Sequence, residues 1–311
     1  MIEIVARSVA MREVLRLAER VAVTDANVLV TGESGAGKDA LALFIHARSQ
    51  RQAQAFVKID CAALPSELLE AELFGYERGA FTGATEAKPG RLEAAHKGTL
   101  VLDEIAHLSV DAQAKLLRVI ERREFERLGG RRTIRVDARL IALTNVDLDE
   151  AVKRRSFRED LFYRLNVVHI HVPPLKSRRE DVRELASLLL KTYAAKHGRA
   201  STEIAPEALQ LLEAYSWPGN VRELANVLER AVIVGGGERV EAADLPETVQ
   251  AFVARHKMRS ERPPTLAELE AEYINETLVA TRGNKSEAAR LLGISRKNLY
   301  EKLARYKRDE G

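Results

Sequence analysis

Gly32, Gly37 and Lys38, in the stretch TGESGAGKD, have the spacing G-x-x-x-x-G-K between a short β-branched run and a helical pattern. Glycines in such a loop let successive backbone N–H groups close around phosphate oxygens. The following helix adds partial positive charge at its N-terminus, and a lysine placed like Lys38 reaches the terminal phosphates. The loop Gly32, Glu33, Ser34, Gly35, Ala36, Gly37, Lys38 and Asp39 is therefore the expected nucleotide cradle. Asp39 stands where the generic pattern has a Ser or Thr hydroxyl for magnesium.

The complementary chemistry comes from GTLVLDEI, an apolar strand ending in Asp103 and Glu104. One carboxylate at a strand end can hold magnesium or its waters, and the next can polarise the water that attacks the terminal phosphate. Asp103 is the expected metal residue and Glu104 the base, both near a magnesium held through phosphates and water. An acidic strand end is ordinarily just solvated, and it is the phosphate loop upstream that favours catalysis. Asn145, closing ALTN, has two even readings: a sensor of the terminal phosphate, or a turn residue.

Arg158 and Arg164 lie in SFREDLFYRLNV, and Arg222 lies in WPGNVREL. Six residues on a helix turn through roughly 240°, so the first two cannot share one face and one task. Arginine suits a developing phosphate charge, and supplying it from a neighbouring subunit makes hydrolysis depend on assembly. Surface pairing with Glu159, Asp160 or Glu223 is the plainer alternative. A third feature, GYERGAFTGATEAKPG, sets Phe81 and Thr82 between Gly79-Ala80 and Gly83-Ala84. It is a glycine turn with its aromatic tucked into a core, or a functional loop, since the span from Leu73 to Thr99 is long for a plain connection.

These residues need a frame. NVLV (27–30), FVKI (56–59), TLVL (99–102), RLIALT (139–144) and VVHIHV (167–172) alternate with helical patterns, which predicts an α/β fold with a parallel sheet wrapped by helices. After the PPL stretch at 173–175 everything reads as helix, a lid. Poor periodicity with glycine, proline and charge then marks a boundary. The expected division is an α/β ATPase subdomain (1–172), a helical lid (173–238), a linker (239–264) and a small all-α unit (265–311).

In that last unit a longer helix precedes Lys285–Leu292, a turn at Gly293-Ile294, and a helix opened by Ser295 as N-cap, the pattern of a helix-turn-helix. Ser295, Arg296, Lys297, Asn298, Tyr300 and Lys302 would meet DNA at the N-terminal end of a recognition helix. A helical hairpin with a solvated basic face is the alternative. The 311 residues carry a net charge of +3, which permits nucleic-acid contact without demonstrating it. A single cysteine, Cys61, excludes an intrachain disulfide and suits a reducing cytoplasm, and no stretch reads as a signal peptide or membrane span.

GESGAGKD, ELFGYERGAFTGA, GTLVLDEI, FREDLFYRLNV with PPL, and WPGNVREL stand in the order found in NtrC-type bacterial enhancer-binding proteins, the AAA+ activators of sigma-54 RNA polymerase. The chain resembles that family over nearly its whole length, and its tail resembles a Fis-type DNA-binding domain. The resemblance implies an ATPase using ATP and Mg2+, dimeric when inactive and assembling into a ring, commonly a hexamer, with nucleotide at subunit interfaces. It implies the partners sigma-54, RNA polymerase holoenzyme and double-stranded enhancer DNA. Carried over by position, Asn145 becomes a first sensor, Arg222 a second, Arg158 and Arg164 arginine fingers, and Gly79–Ala84 the sigma-54 contact.

An acid at Asp39 agrees with this family. Asp60, in KIDCAAL, stands where the family often has an Asn that holds the catalytic Glu in an inactive pose; two carboxylates would repel, which puts such a switch at Glu104 in doubt. No receiver domain is present in these 311 residues, which fits either a member regulated by a separate protein or a chain from which such a domain was removed. The residues by themselves also admit a nucleotide-binding DNA regulator acting on the ordinary polymerase, or an AAA+ motor for another client.

Overall fold

The computed structural model describes residues 4–199, 203–235, 237–252, 265–281 and 283–309. Five strands, β1 (Val28–Thr31), β2 (Phe56–Asp60), β3 (Thr99–Asp103), β4 (Arg139–Thr144) and β5 (Val168–His171), form one parallel sheet in the order β2-β3-β4-β1-β5. Helices intervene between successive strands, which is what lets parallel strands pair, and they cover both faces. Alternation along the strands divides the core: Leu100, Leu102, Leu140 and Ala142 face one apolar cluster, and Val101, Ile141 and Leu143 the other. The order reverses beside β1, where ligands bind at the carboxyl ends of strands in such sheets.

The helices Val182–His197, Pro206–Ala214 and Asn220–Val234 follow the sheet. The sequence predicts helix through the lid and a linker from 239, but Glu203–Ile204 and Arg239–Val240 form a parallel strand pair. Two residues a side are too short to leave a periodic signal, and the pairing spans the lid helices. The first compact unit runs to Pro246 and the second starts at Glu247. Of the stretch expected as a linker, residues 253–264 lie outside those described.

Asp181, fully buried ahead of the first lid helix, fastens the start of the chain's first helix, Val9–Ala22. Its Oδ1 accepts the backbone amides of Arg7 (2.6 Å) and Ser8 (2.7 Å), and its Oδ2 accepts the Ser8 hydroxyl at 3.0 Å. Ser8 in turn caps the helix by accepting the Met11 amide.

Two insertions rise from the sheet domain. Gly75–Tyr76 pairs antiparallel with Lys88–Pro89, leaving residues 77–87 as a tip, and Glu124–Glu126 pairs antiparallel with Thr133–Arg135. They are joined by Leu128, whose amide donates to the Gly75 carbonyl and whose carbonyl accepts from the Glu77 amide, both at 2.9 Å. Gly129 has φ +70°, and a Cβ there would lie 2.9 Å from the Ala80 backbone, so only glycine lets the insertions close up.

The second unit contains the helices Leu266–Ala280, Lys285–Leu291 and Arg296–Asp309. Ala288 and Ala289 are small enough to bring the helices together over Ile274 and Leu299. Gly293 at φ +66° ends the middle helix with the Ile294 amide bonded back to Ala289, and Ser295 caps the next by accepting the Asn298 amide at 3.1 Å. No helix among the described residues is long and apolar enough to cross a membrane.

Candidate active site

The loop from Gly32 to Asp39 leaves β1 and turns into the helix Lys38–Ala47, with Gly37 at φ 107° just before it. Gly35 is required twice over: its φ is +74°, and a Cβ would meet the Gly219 carbonyl at 2.4 Å. Lys38, only 7% exposed, is held over the loop by the carbonyls of Gly32 (2.9 Å) and Glu33 (3.4 Å), and its Nζ lies 3.8 Å from Glu104 Oε1.

Asp103 ends β3, and Glu104 follows it in a left-handed conformation (φ 51°, ψ 50°) that costs a non-glycine residue about 1 kcal/mol or more. That turn swings its carboxylate toward β4, where Oε2 accepts the Asn145 amide at 3.1 Å. The Asp60 carboxylate accepts the Ala62 amide at 2.9 Å instead, and no hydrogen bond joins Asp60 to Glu104 among the described residues.

Lys58, on β2, carries no motif and was not expected here. Its ammonium contacts Asp39 and lies 2.7 Å from Asp103 Oδ2. Burial lowers its pKa, but the bonds to Asp103 and Asp39 outweigh this and hold it above the usual lysine value. The two carboxylates thus converge on one cation. Hard oxygen donors so arranged fit magnesium.

The lid closes over the same loop. Asn220, fully buried at φ 53°, donates to Glu33 Oε2 (3.0 Å) and the Ser34 carbonyl (3.1 Å), while its own Oδ1 accepts the Leu175 amide. Its bond, with that of Lys176, holds the Glu33 carboxyl below the usual range. Arg222 lies two residues on, bonded to the Ser34 hydroxyl at 2.8 Å. Asn220 escaped notice in the sequence because an Asn after Pro-Gly looks like an ordinary turn residue.

The remaining candidates lie elsewhere. Arg158 precedes the helix Glu159–Leu165 in an extended conformation, so the rotation expected between it and Arg164 does not apply. Its guanidinium pairs with Asp160 (2.7 Å) and that of Arg164 with Glu121 (3.2 Å), both partly exposed. Buried Gln113 fixes the segment by accepting the Arg158 amide. Gly79–Ala84 occupies the insertion tip: Gly79 and Gly83 have φ of 84° and 106°, the Gly79 amide reaches the Ala84 carbonyl, and Ala84 is buried. Phe81 is 43% exposed and meets Tyr76 edge-on at 5.0 Å, so it is not tucked into a core. In the second unit Arg296, Lys297, Asn298 and Tyr300 are exposed, whereas Lys302 turns back to Glu270 at 2.6 Å.

A phosphate loop after the first strand, an acid pair at the end of the third, a strand-end Asn and a lid on the loop together define an AAA+ ATPase. Residues 4–171 match the sigma-54 interaction domain, 176–262 the AAA+ ATPase lid domain, and 265–306 the bacterial regulatory protein Fis family. The regulatory protein AtoC of Escherichia coli is 45% identical over 97% of this chain and 67% of its own. The transcriptional regulatory protein FlbD of Caulobacter vibrioides is 44% identical over 97% of this chain and 70% of its own. The crystal structure of NtrX from Brucella abortus in complex with ATP superposes with a TM-score of 0.75 at 37% identity, covering 97% of this chain and 69% of that one. The chain belongs to the NtrC family of sigma-54-dependent transcription activators.

Proposed function

We propose that the chain hydrolyses ATP to remodel the closed sigma-54 polymerase complex while its last unit, residues 265–311, holds it on enhancer DNA. The observation that carries this reading is the pairing, in one domain, of a phosphate loop and acid pair with an insertion whose tip presents Phe81 to solvent.

Lys38 and the loop amides bind the phosphates, Asp39 and Asp103 hold magnesium, and Glu104 takes the proton of the attacking water. Bound magnesium supplies charge neutralisation on the terminal phosphates. Asn145, whose amide already holds Glu104, senses the terminal phosphate at the end of β4. Arg222 reports nucleotide to the lid. Within one chain Arg158 and Arg164 make the plainer surface pairs, with Asp160 and Glu121; the family resemblance assigns them instead to a neighbour's nucleotide, where they would leave those exposed partners. That role requires a homo-oligomer, and a hexameric ring assembled from dimers fits it.

The Phe81–Tyr76 contact, about 0.5–1.5 kcal/mol beyond burial for such a pair, is weak enough to open when the loop engages sigma-54. Transcription from a sigma-54 promoter with ATP, run beside ordinary holoenzyme on its own promoter, tests the reading. Activation confined to the sigma-54 template is expected; activation of the ordinary polymerase, or of neither, would overturn it.

A further inference from the structure

Lys58 stands between the two carboxylates to which the ATPase reading assigns magnesium. It lies two residues before Asp60, the register partner of Asp103, so its side chain emerges from β2 on the same side as Asp60. From there one ammonium reaches both Asp39, on the helix after the phosphate loop, and Asp103, at the end of β3. Without it two carboxylates from different elements would face each other uncompensated, one of them only 15% exposed.

We propose that Lys58 is a positioning residue that serves as the resident counter-ion of the magnesium site. It keeps Asp39 and Asp103 converged while no metal is bound, and gives them up when magnesium nucleotide arrives. This inference rests on the ATPase reading and adds to it a competition built into the chain. The lysine has somewhere to go, because it also lines a cavity of about 600 Å3 shared with Asp60, Glu72, Tyr76 and Phe81. Glu72 there is already paired with Lys88 and Arg91, so the released ammonium has the Asp60 side of an open cavity to enter, not a closed core.

The test is binding of a fluorescent, non-hydrolysable ATP analogue to the full chain at rising Mg2+, with melting of the nucleotide-free, metal-free protein measured alongside. In Lys58→Met the half-saturating Mg2+ concentration should fall about tenfold, the size of one lost charge-assisted contact, and the metal-free protein should melt earlier. Lys58→Gln, polar and closer to the native surface, should shift the same way and guards against a folding defect. Lys58→Arg should stay near wild type. An unchanged or raised Mg2+ requirement in Met and Gln variants that melt cooperatively overturns the inference alone. Wild-type analogue binding that ignores Mg2+ likewise overturns the inference alone, whereas a chain that binds no analogue and releases no phosphate from ATP overturns the ATPase reading with it.

Discussion

The backbone amide of Asn145 donates to the Glu104 carboxylate at 3.1 Å, across the ends of two neighbouring strands. The base is thereby tied to the residue expected to sense the terminal phosphate. Glu104→Gln keeps an oxygen to accept that amide but cannot take a proton. Turnover should drop by about 10²–10⁴-fold, while binding of the fluorescent analogue stays close to wild type. Steady-state phosphate release and an equilibrium titration check the two halves of the expectation.

Phe81→Ala and Thr82→Ala alter the exposed insertion tip, on elements separate from the phosphate loop. ATP hydrolysis should remain largely intact and open-complex formation should be lost, read by permanganate footprinting on a sigma-54 promoter. Normal promoter opening by both variants would remove the loop from the mechanism.

Arg158→Ala and Arg164→Ala should each cost about 10³-fold or more in turnover if their guanidinium groups complete a neighbour's site. Mixing an Arg158→Ala chain with a Glu104→Gln chain then restores part of the activity, because some interfaces join an intact arginine to an intact base. Mixtures no more active than their components would return both arginines to surface pairing.

Cys61 is 1% exposed, and burial, with the carboxylates of Asp60, Asp103 and Glu104 nearby, pushes its thiol up to about 12. Against the ordinary value of 9.0 its thiolate fraction near pH 8 falls about a thousandfold, so iodoacetamide should label it only on denaturation. Because the folded value is the higher one, this thiol's contribution to stability is complete below pH 9 and declines as pH rises from there toward 12. Alkaline melting curves of Cys61→Ser should lose that slope.

Arg296→Ala and Lys297→Ala, at the exposed start of the last helix, should weaken binding to enhancer duplex. A phosphate contact is marked by a uniform loss across sequences and a salt slope smaller by about 1; a base contact is marked by relaxed specificity. Lys302→Ala should affect melting of the second unit more than DNA affinity, since its ammonium is paired with Glu270.

The phosphate loop and the acid pair were legible because their residues are consecutive, so spacing alone carries the chemistry. Lys58 and Asn220 were not. Each does its work through a contact made by folding: Lys58 reaches Asp103 only once β2 lies beside β3, and Asn220 reaches Glu33 only once the lid returns to the loop. The inner strands were visible from apolar runs buried on both faces, as in β4, and the edge strands β2 and β5 from short β-branched runs although they are only partly buried. The hairpin Glu124–Glu126 with Thr133–Arg135 was not, because E-F-E and T-I-R alternate over only three residues each, too few to stand out. Arg158 was misplaced for a local reason: it stands at the mouth of a helix whose interior it was expected to occupy.

Asp181 takes hold of the backbone at Arg7 and Ser8 from the threshold of the lid. Its grip is on two main-chain amides and the Ser8 hydroxyl, three bonds made by one buried carboxylate. The first helix is thus held from two sides, by the threshold of the lid and by the sheet, whose Val28 and Ile170 share a core with Met11, Val14 and Ala18. A lid that shifts against the sheet must carry the backbone at Arg7 and Ser8 with it or give up those three bonds.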